Sequence, residues 1–288
     1  MKRFGFWLVV WLLSVGGLSA QVTMELSLDQ EQFLPGEALP VVVRITNRSG
    51  QTLVLGTDED WLRFTVESRD IPVVIKNGEA PVKEKIVLES AQAAIKRVNI
   101  EPYFNLKTLG RYKVTATAMI KDWGQQIISA PVGFDIIHAA MLREIEFGVP
   151  LPPGVSNRPP EVRKYTLLQA NYLKKLMLYF QLSEGAGKID KVFPLGRILN
   201  MGLEDTQLDR LSNLHLLYQI GAHTASYMVL SPDGELIKRQ TYEFTAHPRL
   251  KYDEEGNIAV AGASRLPRPD DLPRPKLDAG EVKAPDLK

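Results

Sequence analysis

From about residue 21 to residue 137, apolar and polar side chains alternate with a period of two, and Gly, Pro, Asn and Asp punctuate the runs. Alternation of this kind belongs to antiparallel strands that bury one face. Val41, Val43 and Ile45 share a face opposite Val42, Arg44 and Thr46. Leu62, Phe64 and Val66 oppose Trp61, Arg63, Thr65 and Glu67, and Tyr112, Val114, Ala116, Ala118 and Ile120 oppose Arg111, Lys113, Thr115 and Thr117. Further strands are expected over 23–28, 51–55, 71–76, 84–89, 95–100 and 126–136. About nine short strands at this spacing predict a β-sandwich.

The pattern breaks after Ile137. Residues 138–160 read as a linker: Ala139–Glu146 has room for one or two helical turns, and Pro150, Pro152, Pro153, Pro159 and Pro160 then favour a stiff, extended connector. Residues 161–183 satisfy two periods at once. Val162, Tyr165, Leu168, Tyr172, Leu176 and Tyr179 recur at helical spacing, while Leu176, Leu178, Phe180 and Leu182 alternate as in a strand. The turn signal Gly185-Ala186-Gly187-Lys188 favours a strand from about Lys174. Downstream, Gln207-Leu208-Asp209 with Leu214–Tyr218 can be laid over Arg249-Leu250-Lys251 with Asn257–Val260, an offset of about 42 residues. Each copy reads as strand, polar turn, strand.

Two local patterns carry a resemblance. Phe33-Leu34-Pro35-Gly36-Glu37, followed by a strand and Asn47-Arg48-Ser49-Gly50, resembles the opening of bacterial immunoglobulin-like domains, and Leu109-Gly110-Arg111-Tyr112 resembles the tyrosine corner of the same superfold. The likeness implies architecture and no particular activity. It departs from antibody domains in having Val114 where a cysteine would stand and Trp61 on the outward parity. The later repeat is similar to four-stranded propeller blades, but residues 174–262 hold about two blade lengths and a closed ring needs four to eight. The expected fold class is therefore all-β: an immunoglobulin-like sandwich over 21–137, a second small antiparallel β domain with blade-like hairpins over 161–264, and a disordered tail over 265–288. That tail carries five prolines and eleven charges in 24 residues.

The N-terminus changes the picture of where the chain works. Lys2 and Arg3 precede an uncharged apolar run from Phe4 to Leu18, and Leu18-Ser19-Ala20 supplies small residues before Gln21. This three-part pattern predicts a secretory signal peptide over 1–20, too short to span a bilayer and leaving no transmembrane anchor after cleavage. The remainder is close to charge balance, 33 basic against 34 acidic residues, so no whole-molecule field draws in nucleic acid. With no cysteine there are no disulfides, thiolate sites or lipidated cysteine, and export to the periplasm or exterior of a bacterium fits best. Asn47-Arg48-Ser49 is a formal glycosylation sequon.

Candidate chemistry is sparse. No His-Glu-x-x-His, Gly-x-Ser-x-Gly or dinucleotide-binding glycine pattern is present, and no cofactor is expected. His215 and His223 share parity but sit together only if the chain turns near Gly221, and His215 is expected to face away from the core. No metal site is expected. Asp58 and Asp60, beside Glu59, come nearest to one, but without the glycine and distal glutamate of a calcium loop they read as a solvated acidic turn. Trp61 and Arg63 on one outward face, with Trp123 in the turn Lys121-Asp122-Trp123-Gly124, are the binding candidates, because an exposed aromatic beside a guanidinium can stack on a sugar or anchor a partner; the competing reading is burial, of Trp61 under the linker or second domain and of Trp123 likewise. The expected function is non-catalytic binding of an envelope or extracellular protein or glycan. The alternatives are a carboxylate-dependent glycan hydrolase or its accessory module, and a protease-inhibitor-like module.

Overall fold

The computed structural model describes residues 22–150, 161–185, 187–199 and 204–273, and among them there are strands, two short 3-10 helices and no α-helix. The first ten strands are β1 (Val22–Leu28), β2 (Gln32–Phe33), β3 (Pro40–Asn47), β4 (Leu53–Leu55), β5 (Leu62–Ser68), β6 (Ile86–Leu88), β7 (Ala93–Asn99), β8 (Gly110–Ile120), β9 (Gln125–Ile128) and β10 (Val132–Ile136). They form a three-stranded sheet, β1-β3-β7, facing a sheet ordered β2-β10-β8-β5 with β9 added to β8; β4 and β6 make a small pair of their own. Val41, Val43 and Ile45 from one sheet meet Phe64, Val66, Val114, Ala116 and Phe134 from the other in a single apolar core. Fully burying each large apolar side chain contributes about 1.5–3 kcal/mol, which is why the alternation is so regular here.

Polar side chains tie the loops of this sandwich down. Tyr112 donates its hydroxyl to the Thr108 carbonyl at 2.6 Å. In the Pro-Gly-Glu turn, buried Glu37 accepts hydrogen bonds from the Leu34 N–H (2.8 Å) and from Gln30 Nε2 (2.7 Å). Burial nevertheless pushes its carboxyl above the usual range. Asn47 is fully buried, donating to the carbonyls of Gln51 and Leu88, so its side chain is a structural strut and offers no surface for a glycan.

The second unit begins earlier than the sequence suggests. β11 (Ala140–Gly148), β12 (Val162–Tyr172), β13 (Lys175–Glu184) and β14 (Ile189–Arg197) form a four-stranded antiparallel meander. The expected linker over 138–160 is thus largely a strand: Ala139–Glu146 is not helical, and β11 pairs with β12 from Ala140↔Gln169 to Gly148↔Val162. A register shift between Met141 and Arg143 breaks the alternation that would have betrayed it. The prolines of 151–160 lie outside the described residues. Residues 162–172 are strand as well, and β12 turns into β13 through Leu173 and Lys174, both at positive φ.

Next come β15 (Asp205–Leu208), β16 (Leu214–Gly221), β17 (Thr224–Leu230), β18 (Leu236–Glu243), β19 (Arg249–Tyr252), β20 (Ile258–Ala261) and β21 (Ser264–Arg265). The order β15-β16-β17-β18-β21 makes a second sheet, and β19-β20 is a separate hairpin. Phe147, Tyr165, Leu178 and Phe180 of the first meander pack on Leu214, Leu216, Tyr218 and Met228 of the second. The opposite face of that second sheet, with Leu217, Tyr227 and Val229, is covered by Phe244, Leu250 and Ile258. Both faces of its central strands, β16 and β17, are therefore buried, while β18 is only partly covered.

The two units touch through Leu34, which packs with Ala170, Tyr179 and Val192, and through Gln32 Oε1, which accepts the Leu173 N–H at 2.9 Å. The tail boundary also moves. Arg265 donates to buried Asp271 at 2.7 Å, the Arg268 N–H donates to the same carboxylate at 2.8 Å, and Leu272 exchanges backbone hydrogen bonds with Arg239, so 265–273 pack as part of the fold. The expected signal peptide and the rest of the expected tail, 274–288, lie outside the described residues.

Candidate binding cleft

The residues singled out from sequence do not converge. Trp61 is buried: its indole N–H donates to the Val82 carbonyl at 2.8 Å and its ring belongs to the sandwich core. The outward placement beside Arg63 is thereby corrected. β5 begins at Leu62, and Trp61 lies in the bend before it, where strand parity no longer governs direction. Arg63 is exposed and paired with Asp60, whose carboxyl it holds below the usual range. Asp58 pairs with Lys121, so the two acids of this turn answer to different cations. Trp123 ends a 3-10 helix, half-buried against the same core. Among the described residues, no group of three or more His, Asp or Glu side chains is placed to hold a metal ion.

His215 is likewise not on an outward face. It lies at the start of β16, opposite Val229, while His223 sits in the turn after Gly221 at the far end of the hairpin, so the two histidines are apart. The sequence puts His215 in a network that begins in the turn Asp209–Asn213. There Asp209 Oδ1 accepts the N–H groups of Leu211 (2.8 Å) and Asn213 (2.9 Å), and Oδ2 accepts Asn213 Nδ2 at 2.8 Å. Burial works to raise this carboxyl, but those bonds and the one from His215 outweigh it and leave it ionised below the ordinary range.

The ionised carboxylate fixes the rest. His215 Nε2 lies 3.3 Å from Asp209 Oδ2 and carries the proton, so Nδ1 accepts the Tyr227 hydroxyl at 2.7 Å. Burial depresses the imidazole below its ordinary value even though Asp209 pulls the other way. A carboxylate, imidazole and hydroxyl in series can activate a nucleophile. Here burial raises the Tyr227 hydroxyl well above its usual range, and its one proton, directed at His215 Nδ1, is shared with the Ile258 carbonyl at 3.3 Å. The chain of contacts therefore pins the β19-β20 hairpin to the sheet beneath it.

Beside that hairpin is a cavity of 610 Å³. Lys238, Gln240 and Tyr242, at alternate positions of β18, face into it, with His215 and Tyr227 on one side and Ile258–Val260 on the other. Lys238 makes no ion pair among the described residues, and its ammonium lies 5.9 Å from the centre of the Tyr227 ring. The acidic turn Asp253–Asn257 closes one end. It repeats the Asp209 turn: Asp253 Oδ1 accepts the N–H groups of Glu255 and Asn257 as Asp209 Oδ1 does those of Leu211 and Asn213. The structural offset between the two hairpins is thus 44 residues, from Asp209 to Asp253.

No protein-family model matches the chain, and no curated protein matches it. Among solved structures it is similar to Spo0M, a sporulation control protein from Bacillus subtilis, at 9% identity over 61% of this chain and 89% of that one. The TM-score of 0.30 is too low for that likeness to carry an argument. The reading of the cleft rests on its own geometry.

Proposed function

We propose that this chain is an exported, non-catalytic protein that binds another macromolecule in the cell envelope or outside the cell. The observation that carries the reading is the cleft over β18: an unpaired, half-buried ammonium and two further polar side chains line an open space, while the one chemically capable network beside it is spent on holding a hairpin. The Tyr112 corner and the Glu37 turn support an immunoglobulin-like identity for the first unit, a scaffold that serves binding in many contexts. The stacked meanders β11–β14 and β15–β18, the second extended by β21, and the repeated Asp-x-x-x-Asn turns support a blade-like array stopped after two and a half units. Export rests on the Lys2–Ala20 pattern.

Affinity capture from the native envelope fraction, with the mature chain as bait, tests this reading. A stoichiometric partner is expected, lost from Lys238→Glu bait that retains wild-type melting behaviour. Turnover of any glycan or peptide substrate that requires the folded chain contradicts it.

A further inference from the structure

The β19-β20 hairpin has two strands where the two preceding sheets of the second unit each run through four consecutive ones, β11–β14 and β15–β18. Asp253 N–H donates to the Asn257 carbonyl at 2.8 Å, and the register continues through Lys251↔Ala259 and Leu250↔Val260. Bonded and non-bonded pairs alternate in an antiparallel ladder, so Lys251 and Ala259 bond each other. The backbone groups of Leu250 point out of one edge, and those of Ile258 and Val260 point out of the other. On the β19 edge they are capped: the Leu250 N–H donates to Asp205 Oδ2 at 2.8 Å and its carbonyl accepts Gln207 Nε2 at 3.0 Å. On the β20 edge the Tyr227 hydroxyl reaches only the Ile258 carbonyl, and among the described residues no strand pairs there.

We propose that the space beside β20 takes an extended peptide segment of a partner protein, which adds a strand to the open edge and sets a carboxylate on Lys238. This rests on the macromolecule-binding reading and narrows it to protein. Ile258 and Val260 each offer an N–H and a carbonyl at the spacing of alternate strand residues, a pattern that a peptide main chain matches and a glycan does not. Every second peptide side chain then points down to the ledge of β18, where Lys238 calls for an acid and Tyr242, further along the same face, for an apolar or aromatic group. The Ile258 carbonyl keeps a lone pair free beside its contact with Tyr227.

The probe is a random 12-residue peptide library displayed on phage and panned against the full mature chain. Enriched peptides should alternate, carry Asp or Glu, and lose at least tenfold in affinity for Val260→Pro, which removes the outward N–H and no ladder bond. Lys238→Glu, which does not touch the backbone, should switch the selected peptides from acidic to basic even if the proline variant fails to fold. Absence of enrichment, or enriched peptides that bind both folded variants as they bind wild type, overturns the proposal. Enrichment that appears only after residues 274–288 are deleted also overturns it, since the chain's own segment is then the occupant. If an envelope partner is captured equally by wild type and Val260→Pro, the broader binding function stands and this slot falls.

Discussion

Trp61 and His215 show what a single side chain decides. With its ring in the core and its N–H bonded to Val82, Trp61→Ala should cost about 3–5 kcal/mol, as much as Phe64→Ala, measured by denaturant unfolding. His215 gives a pH signature. Because the folded chain holds the imidazole below its ordinary 6.5, it binds fewer protons than the unfolded chain in the window beneath that value, and stability falls as pH drops through the window. Lowering pH from about 7.5 to about 5 should therefore reduce the melting temperature more in wild type than in His215→Gln, a comparison in which other titrating groups cancel. The sequence left Trp61 open between an outward face and burial, and set His215 opposite Leu214, Leu216 and Tyr218 without showing that its own face is covered. Trp61 precedes its strand, and Leu214–Tyr218 are buried on both faces, so alternation there carries no information about direction. Where one face alone is buried, as along Tyr112–Ile120, the reading matched residue by residue.

Among elements, the β12-β13 hairpin escaped recognition because its turn is written in unusual residues. A two-residue turn with positive φ at both positions favours Asn-Gly, and this one holds Leu173 at 45° and Lys174 at 65°. Replacing the pair by Asn-Gly should raise stability by about 1–2 kcal/mol, provided the Gln32 contact to the Leu173 N–H survives, read from thermal unfolding. The repeat over 207–218 and 249–260 was visible, since the strand–turn–strand pattern is local, but its register was not. The Asp209 and Asp253 turns fix that register through side-chain bonds that composition does not reveal. The segment after Ser264 misled for a related reason. Its prolines and charges look solvated, yet Asp271 is buried and held by Arg265 and the Arg268 N–H. Truncation after Ser264 should lower the melting temperature by several degrees, whereas truncation after Pro273 should not.

Across the whole molecule, two β units share a small apolar contact centred on Leu34, in the turn that the Pro-Gly-Glu sequence builds. Leu34→Asp should uncouple them, splitting one calorimetric transition into two; a single unshifted transition would show that the contact does not couple folding. The proposed export predicts that mature protein begins at Gln21, which N-terminal sequencing checks; Met1 retained would contradict it. At the far end of the second unit lies the feature on which the functional account depends, a strand edge left open over a polar ledge. Amide hydrogen exchange of the free chain, followed residue by residue by NMR, tests it most directly. The account predicts that Ile258 and Val260 exchange orders of magnitude faster than Ala259 and Ala261, whose N–H groups are bonded to β19. Equal protection along β20 would mean that its outer edge is already paired, and would contradict an open binding site there.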